Sequence, residues 1–243
     1  MALSEMSSYH NALSDRLVVC HFPSCLLFTV YNKDLVQKYQ MISPDLSFPD
    51  SLADAIFSET HLLRMLNKCT LAPLGEQDYA PYFFVNFGGS YSIATQDSEL
   101  FTLVYEDTPT DYTRQLVNPR ITTDIDITYR FASQGGHANA VYFYHVENEV
   151  TILAWKDGKF VLANRYAADN EEELFYYVML VVDQLELPPT DIHFSVIGTK
   201  QQHASYHLLF KKYLSPLYLC NREQVEGTTD TIELAHFFGK CVL

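Results

Sequence analysis

The chain has 243 residues, long enough for one large domain or two small lobes with a full core. Hydrophobic residues make up 48% and charged residues 19%, a globular composition that excludes an intrinsically disordered chain. Lys and Arg total 16 against 30 Asp and Glu, a formal net charge of -14; such a field repels phosphate backbones and anionic lipid, so no nucleic acid and no membrane surface is expected as a partner.

In chain order, the opening MALSEMSSYH has neither the basic start nor the apolar core of a signal peptide. Leu17–Phe22 and Leu26–Tyr31 are strand-like runs around Pro23-Ser24, the spacing of a tight hairpin, and Leu35–Ile42 predicts a third strand. After Pro44 and Pro49, Ser51 is placed to cap a helix whose apolar positions are Leu52, Ala55, Ile56, Leu62, Leu63 and Leu66. The run Tyr82–Phe87 reads as a buried strand, and Phe87-Gly88-Gly89-Ser90 after it reads as a turn, since no Lys or Asp follows to make it a phosphate loop. Thr110–Val117 suits a short helix, and the alternation of Ile125, Ile127, Tyr129 and Phe131 predicts a strand.

The second half repeats the opening order. Val141–Tyr144 and Val150–Trp155 are strands around the turn Glu147-Asn148, and Asp157-Gly158 signals a second hairpin into Phe160–Tyr166. Asp169 or Asn170 caps the next helix, Glu172 or Glu173 completes a capping box, and Leu174, Tyr177, Val178, Val181, Val182 and Leu185 recur at helical spacing. Apolar residues on its other sides predict deep packing, against the sheet on one side and a neighbouring helix or lobe on another. Its apolar run, Leu174–Val182, falls well short of the ~20 residues that span a bilayer. Then follow strand Ile192–Ile197, helix Gln202–Leu214, strand Leu217–Cys220 and helix Thr231–Phe238. This alternation predicts an α/β protein with mixed sheets, internally duplicated, one lobe over residues 1–135 and the other over 136–243. The five cysteines, Cys20, Cys25, Cys69, Cys220 and Cys241, contain no CxxC pair, which points to reduced thiols and a cytoplasmic setting.

Two copies of a three-stranded meander followed by αβαβ(α) resemble the actin-like ATPase (ribonuclease H-like) fold shared by sugar kinases, Hsp70 and actin. The stretch DGKFVLANRYAADNEEELFYYVMLVVDQLEL followed by DIHFSVIG resembles, more closely, a bacterial family of unknown function assigned to that fold. The resemblance implies two lobes around a cleft where active relatives hold ATP and Mg²⁺ on two Gly-rich hairpins, each with a nearby Asp. Here the first hairpin, Cys20-His21-Phe22-Pro23-Ser24-Cys25, has no Gly or Asp, and Pro23 removes one N–H donor. The second carries His145, Glu147 and Glu149, whose carboxylates repel phosphate unless a metal intervenes. The adenosine-binding Gly pair is reduced to Gly198.

The expectation is therefore a non-catalytic protein with no cofactor and no resident metal, acting as a protein-binding, assembly or regulatory module on an unidentified protein partner or on itself. The alternative is a nucleotide- or metal-binding enzyme or sensor using the inter-lobe cleft, with His21, Ser24, His145, Glu147, Glu149 and Gly198 as its candidate residues. His203 and His207, four apart on a predicted helix, could share a metal, but Lys200 and Lys211 on the same face argue for a solvated surface. Trp155 reads as a packing residue that is partly exposed beside its turn.

Overall fold

A computed structural model describes residues 13–76, 78–89, 91–107, 111–214, 216–220 and 229–243. The N-terminal MALSEMSSYH, Ser90 of the glycine turn and Thr110 of the expected short helix lie outside them. Strands β1 (Arg16–His21) and β2 (Leu26–Tyr31) form the expected hairpin, closed where Phe22 N donates to Cys25 O at 2.9 Å, and β3 (Gln37–Ser43) pairs antiparallel to β2. Every residue of β2 is buried, so both faces of this strand are covered.

The long helix expected after Ser51 does not form. It shrinks to α1 (Asp50–Ala53), with Pro49 at its N-cap, and the chain then enters β4 (Glu59–Arg64), parallel to β1. Thr60, His61, Leu62 and Leu63 are all buried within β4. A strand covered on both faces loses its period-2 signal, and its leucines fell by chance on helical spacing.

A small three-stranded sheet follows: β5 (Cys69–Ala72), then α2 (Ala80–Phe87), β6 (Ile93–Asp97) and β7 (Thr102–Glu106), in spatial order β5-β7-β6. Helix α2 replaces the strand expected at Tyr82–Phe87. Pro81 sits in its first turn, where a missing N–H costs nothing, and Phe83 is buried against the rings of Phe84, Phe87 and Tyr91. Gly88 and Gly89, at φ 62° and 72°, stop the helix in a conformation other residues avoid.

A 3₁₀ turn over Asp111–Gln115 stands where a short helix was expected, and β8 (Arg120–Thr123) completes the first large sheet in the order β3-β2-β1-β4-β8. Next, α3 (Asp124–Ser133) corrects the predicted strand. The alternating polar residues were misleading because they too are buried: Asp124 accepts from Leu66 N at 3.4 Å, and Asp126 accepts from Ser98 Oγ at 2.8 Å and pairs with Arg130.

The remainder follows the sequence reading closely. Strands β9 (Ala140–Val146), β10 (Glu149–Lys156) and β11 (Lys159–Ala167) meander, followed by α4 (Glu171–Gln184), β12 (His193–Val196), α5 (Lys200–Tyr213), β13 (Leu217–Leu219) and α6 (Asp230–Val242). The second large sheet has the order β11-β10-β9-β12-β13, with the same sequence of antiparallel and parallel pairings as the first. Val141, Phe143, Ile152 and Phe194 on one face pack against Leu174, Val178 and Val181 of α4 and Phe210 of α5. Phe175 of α4 also meets Phe210 and Tyr213 of α5, so α4 touches sheet and helix as expected. Trp155, expected to be partly exposed, is 6% exposed, enclosed by Tyr129, Tyr142 and Phe160.

Contacts divide the chain into two compact units. One holds the described residues up to Leu66, Asp107–Asp124 and Phe238–Leu243; the other holds Asn67–Glu106 and Ile125–Phe237. No helix of the described residues is long and apolar enough to cross a membrane.

Candidate functional site

In open sheets with parallel strands, ligands sit beyond the carboxyl ends of those strands. In the second sheet β9 and β12 run parallel, β12 and β13 run parallel, and β11 shares the direction of β9 because both oppose β10. The β9–β10 turn and the N-termini of α4 and α5 therefore gather at one edge. A cleft of about 690 Å³ opens there, lined by His145, Asp169, Glu171, Glu172, Gln202, Asp230 and the outer face of α5.

Both helix N-termini, the natural receivers of phosphate, already hold protein acceptors. At α4 the Asn170 side chain accepts from Glu173 N at 2.9 Å, Glu173 accepts from Asp169 N at 2.8 Å, and Glu171, Glu172 and Glu173 fill the first turn. At α5 the Thr199 hydroxyl accepts from Gln202 N at 3.1 Å while Gln202 Oε1 accepts from Thr199 N at 3.0 Å, a reciprocal capping box. Gly198 makes that box possible: a Cβ there would stand 2.3 Å from Gln202 Oε1.

Of the sequence-derived candidates, His145 lines the cleft, and its Nε2 donates to Ala168 O at 2.8 Å. Glu147 occupies the turn at φ 53°, and Glu149 lies 3.8 Å from the guanidinium of Arg165, a side chain that also donates to Thr151 Oγ1 at 2.8 Å. Among the described residues no three His, Cys, Asp or Glu side chains gather as a metal site.

His21 and Ser24 belong to the other unit. His21 Nδ1 lies 2.9 Å from the Tyr112 hydroxyl, and burial, helped by the Arg64 guanidinium, lowers its pKa to about 4, so the ring is neutral at pH 7. Arg64 in turn donates to Asp107 at 3.0 Å, and Ser24 is exposed at the hairpin tip. His203 donates to Leu217 O at 2.9 Å, which makes it a tie between α5 and β13, with the His207 ring centroid 5.4 Å away.

The sequence marks Asp169 and Glu172 only as capping groups and singles out neither Glu171 nor Asp230. Their convergence with His145 depends on strand directions, and the one local hint was an acidic first turn shortly after the turn at Glu147. A second cleft, also about 690 Å³, lies over α3 with Asp97, Glu99 and Asp126 facing a single Arg130.

The profile of a family of proteins of unknown function, DUF3822, matches residues 90–217. No curated protein is detectably similar in sequence. A Bacteroides thetaiotaomicron VPI-5482 protein with actin-like ATPase fold and unknown function superposes with a TM-score of 0.75 at 15% identity, over 94% of this chain and 96% of that one. A chain of the PilM–PilN type IV pilus biogenesis complex superposes with a TM-score of 0.52 at 10% identity, over 94% and 98%. The fold is thus that of the actin-like ATPases, and the chain belongs to the DUF3822 family of proteins of unknown function.

Proposed function

We propose that this protein is a non-catalytic member of the actin-like fold that works as a protein-binding, assembly or regulatory module. The occupied helix N-termini carry the reading: at the edge where phosphates would sit, the backbone donors are met by Asn170, Thr199 and Glu173, and the lining contributes Asp169, Glu171, Glu172 and Asp230 without a Lys or Arg among the described residues. A carboxylate about 4 Å from a phosphate oxygen would oppose binding by about 4 kcal/mol at an effective dielectric near 20. The PilM–PilN complex lends support in kind, since a chain of this fold engages a protein there. The matching strand order of the two sheets supports reading the chain as a duplicated lobe, and five cysteines that are all thiols fit a cytoplasmic setting.

The test is a thermal-shift and hydrolysis pair. Mg²⁺·ATP and Mg²⁺·ADP should leave Tm unchanged, because a ligand at a hundred times its Kd would add about 2.7 kcal/mol, and ATP turnover should stay at background. A nucleotide-dependent rise in Tm with turnover abolished by Glu171→Gln or Glu172→Gln would establish the enzyme or sensor reading instead.

A further inference from the structure

The cleft at the carboxyl edge of the second sheet is not polar throughout. Gln201, Ser205 and Leu208 lie four and three residues apart on α5 and form one stripe of that helix. Leu208 is 74% exposed, an apolar side chain held out into a cleft whose rim is acidic. Leu209 and the buried Tyr206 supply the floor. Carboxylates arrive from separate elements: Asp169 from the turn before α4, Glu171 and Glu172 from its first turn, and Asp230 from the start of α6. Asp230 and Glu171 line the cleft together with Tyr206, whose hydroxyl pKa is raised chiefly by burial and then by those two carboxylates. The lysines of α5, Lys200, Lys211 and Lys212, are not among the lining residues.

We propose that this groove docks a short basic segment of a partner protein, its Lys or Arg side chains on the acidic rim and an apolar side chain against Leu208. Charge complementarity selects the occupant. An acidic or neutral segment would meet four carboxylates with no Lys or Arg beside them among the described lining residues, and a purely basic one would leave Leu208 in water. A second copy of the chain is disfavoured by its charge of -14. The proposal rests on the protein-binding reading above and adds to it the surface and the chemistry of the partner. Exposed apolar anchors ringed by polar groups are the usual centres of such contacts.

The experiment uses a fluorescein-labelled peptide of alternating lysine and leucine pairs, with oligolysine of equal length as comparator, read by fluorescence anisotropy at physiological salt. The lysine–leucine peptide should bind the wild-type chain with micromolar Kd and oligolysine at least about tenfold more weakly. Leu208→Ser should erase most of that preference, an effect of about tenfold expected for a buried anchor. Glu171→Gln/Glu172→Gln/Asp230→Asn should weaken both peptides and flatten the salt dependence. Asp34→Asn/Asp54→Asn/Glu76→Gln, with the same change in net charge at residues that do not line the groove, should weaken them much less. All the substituted residues are exposed, and each variant should keep a cooperative melt, the groove triple variant a few degrees lower because it removes acids from the first turns of α4 and α6.

Equal binding of the two peptides, indifference to Leu208→Ser, or equal loss in both triple variants would overturn the proposal. So would a concentration-dependent dimer in sedimentation that Leu208→Ser dissolves, because the occupant would then be a second copy. Peptide docking as described in a protein that hydrolyses Mg²⁺·ATP would remove the non-catalytic reading alone. A protein inert to ATP that ignores both peptides would remove the docking proposal alone.

Discussion

The two large sheets run the same strand order with the same pairings, yet they carry different superstructures. After its meander the first sheet has only the four-residue α1; at the same point the second has the 14-residue α4. After β4 the chain leaves for the small sheet β5-β7-β6, whereas after β12 it turns directly into the 14-residue α5. The comparison teaches that strand order is what the fold requires, while the connections are free to differ. Each must only return the chain to the next parallel strand, and a helix, a short turn or a small sheet can all do so. It also explains why the candidate cleft belongs to the second sheet, where α4 and α5 both begin at the carboxyl edge and bring their first-turn side chains together.

The largest test of this contrast is Val178→Asp. Val178 is fully buried between α4 and the sheet, so an unpaired carboxylate there should cost several kcal/mol, comparable with the whole stability of a domain, and leave the protein insoluble or without a cooperative melt. A variant that melts like the wild type would mean that α4 is not the packing element the comparison makes it.

Acid should act on both sheets at once. His21 in the first and His193 in the second are each held at a pKa of about 4 by burial, with Arg64 and His137 respectively adding to the effect. His193 has its ring stacked on His137 at 3.6 Å and its Nε2 2.8 Å from Ser195 Oγ. A folded pKa below the ordinary 6.5 means that the unfolded chain binds the proton first. The contribution is therefore complete above pH 6.5, lost as pH falls toward 4, and unchanged below that. Tm should drop by about 5 °C between pH 7 and 5. His21→Gln and His193→Gln should each shallow that slope, and a slope untouched by either would show that neither ring is held neutral.

A smaller effect is expected at Gly198, where Ala would push its Cβ into Gln202 Oε1 and open the α5 capping box, at a cost of about 1 kcal/mol or 2–4 °C. Gln202→Ala should cost about as much, and the double variant no more than either alone, since both remove one interaction. Additive losses would mean that Gly198 serves something other than the cap. The smallest change is Glu172→Ala, exposed at the start of α4, which should lower stability by about 0.5 kcal/mol through the helix dipole. A loss several times larger by urea titration would give Glu172 a structural partner and remove it from the cleft's rim.

The parts of the molecule legible from sequence are those whose signals are local. The β1–β2 hairpin shows itself through Pro23-Ser24, the β10–β11 hairpin through Asp157-Gly158, and α4 through Asn170, its glutamates and a long apolar period. At β4, α2 and α3 the local signal failed, each time because neighbours distant in sequence covered the wrong face. In β4 both faces are buried, in α2 a run of aromatics packs into its own small core, and in α3 Asp124, Asp126 and Thr128, which looked solvent-facing, are enclosed. Among the site candidates, His145 is in the cleft, while Glu149 faces Arg165 and Gly198 serves a helix cap. By itself the sequence determined the α/β class, the meanders and the absence of glycine from the two turns where phosphate would be held. Only the tertiary structure decided that Asp169, Glu171, Glu172, Asp230 and Leu208 share one groove, because their meeting depends on the directions of strands paired across the sheet, and no spacing along the chain encodes those.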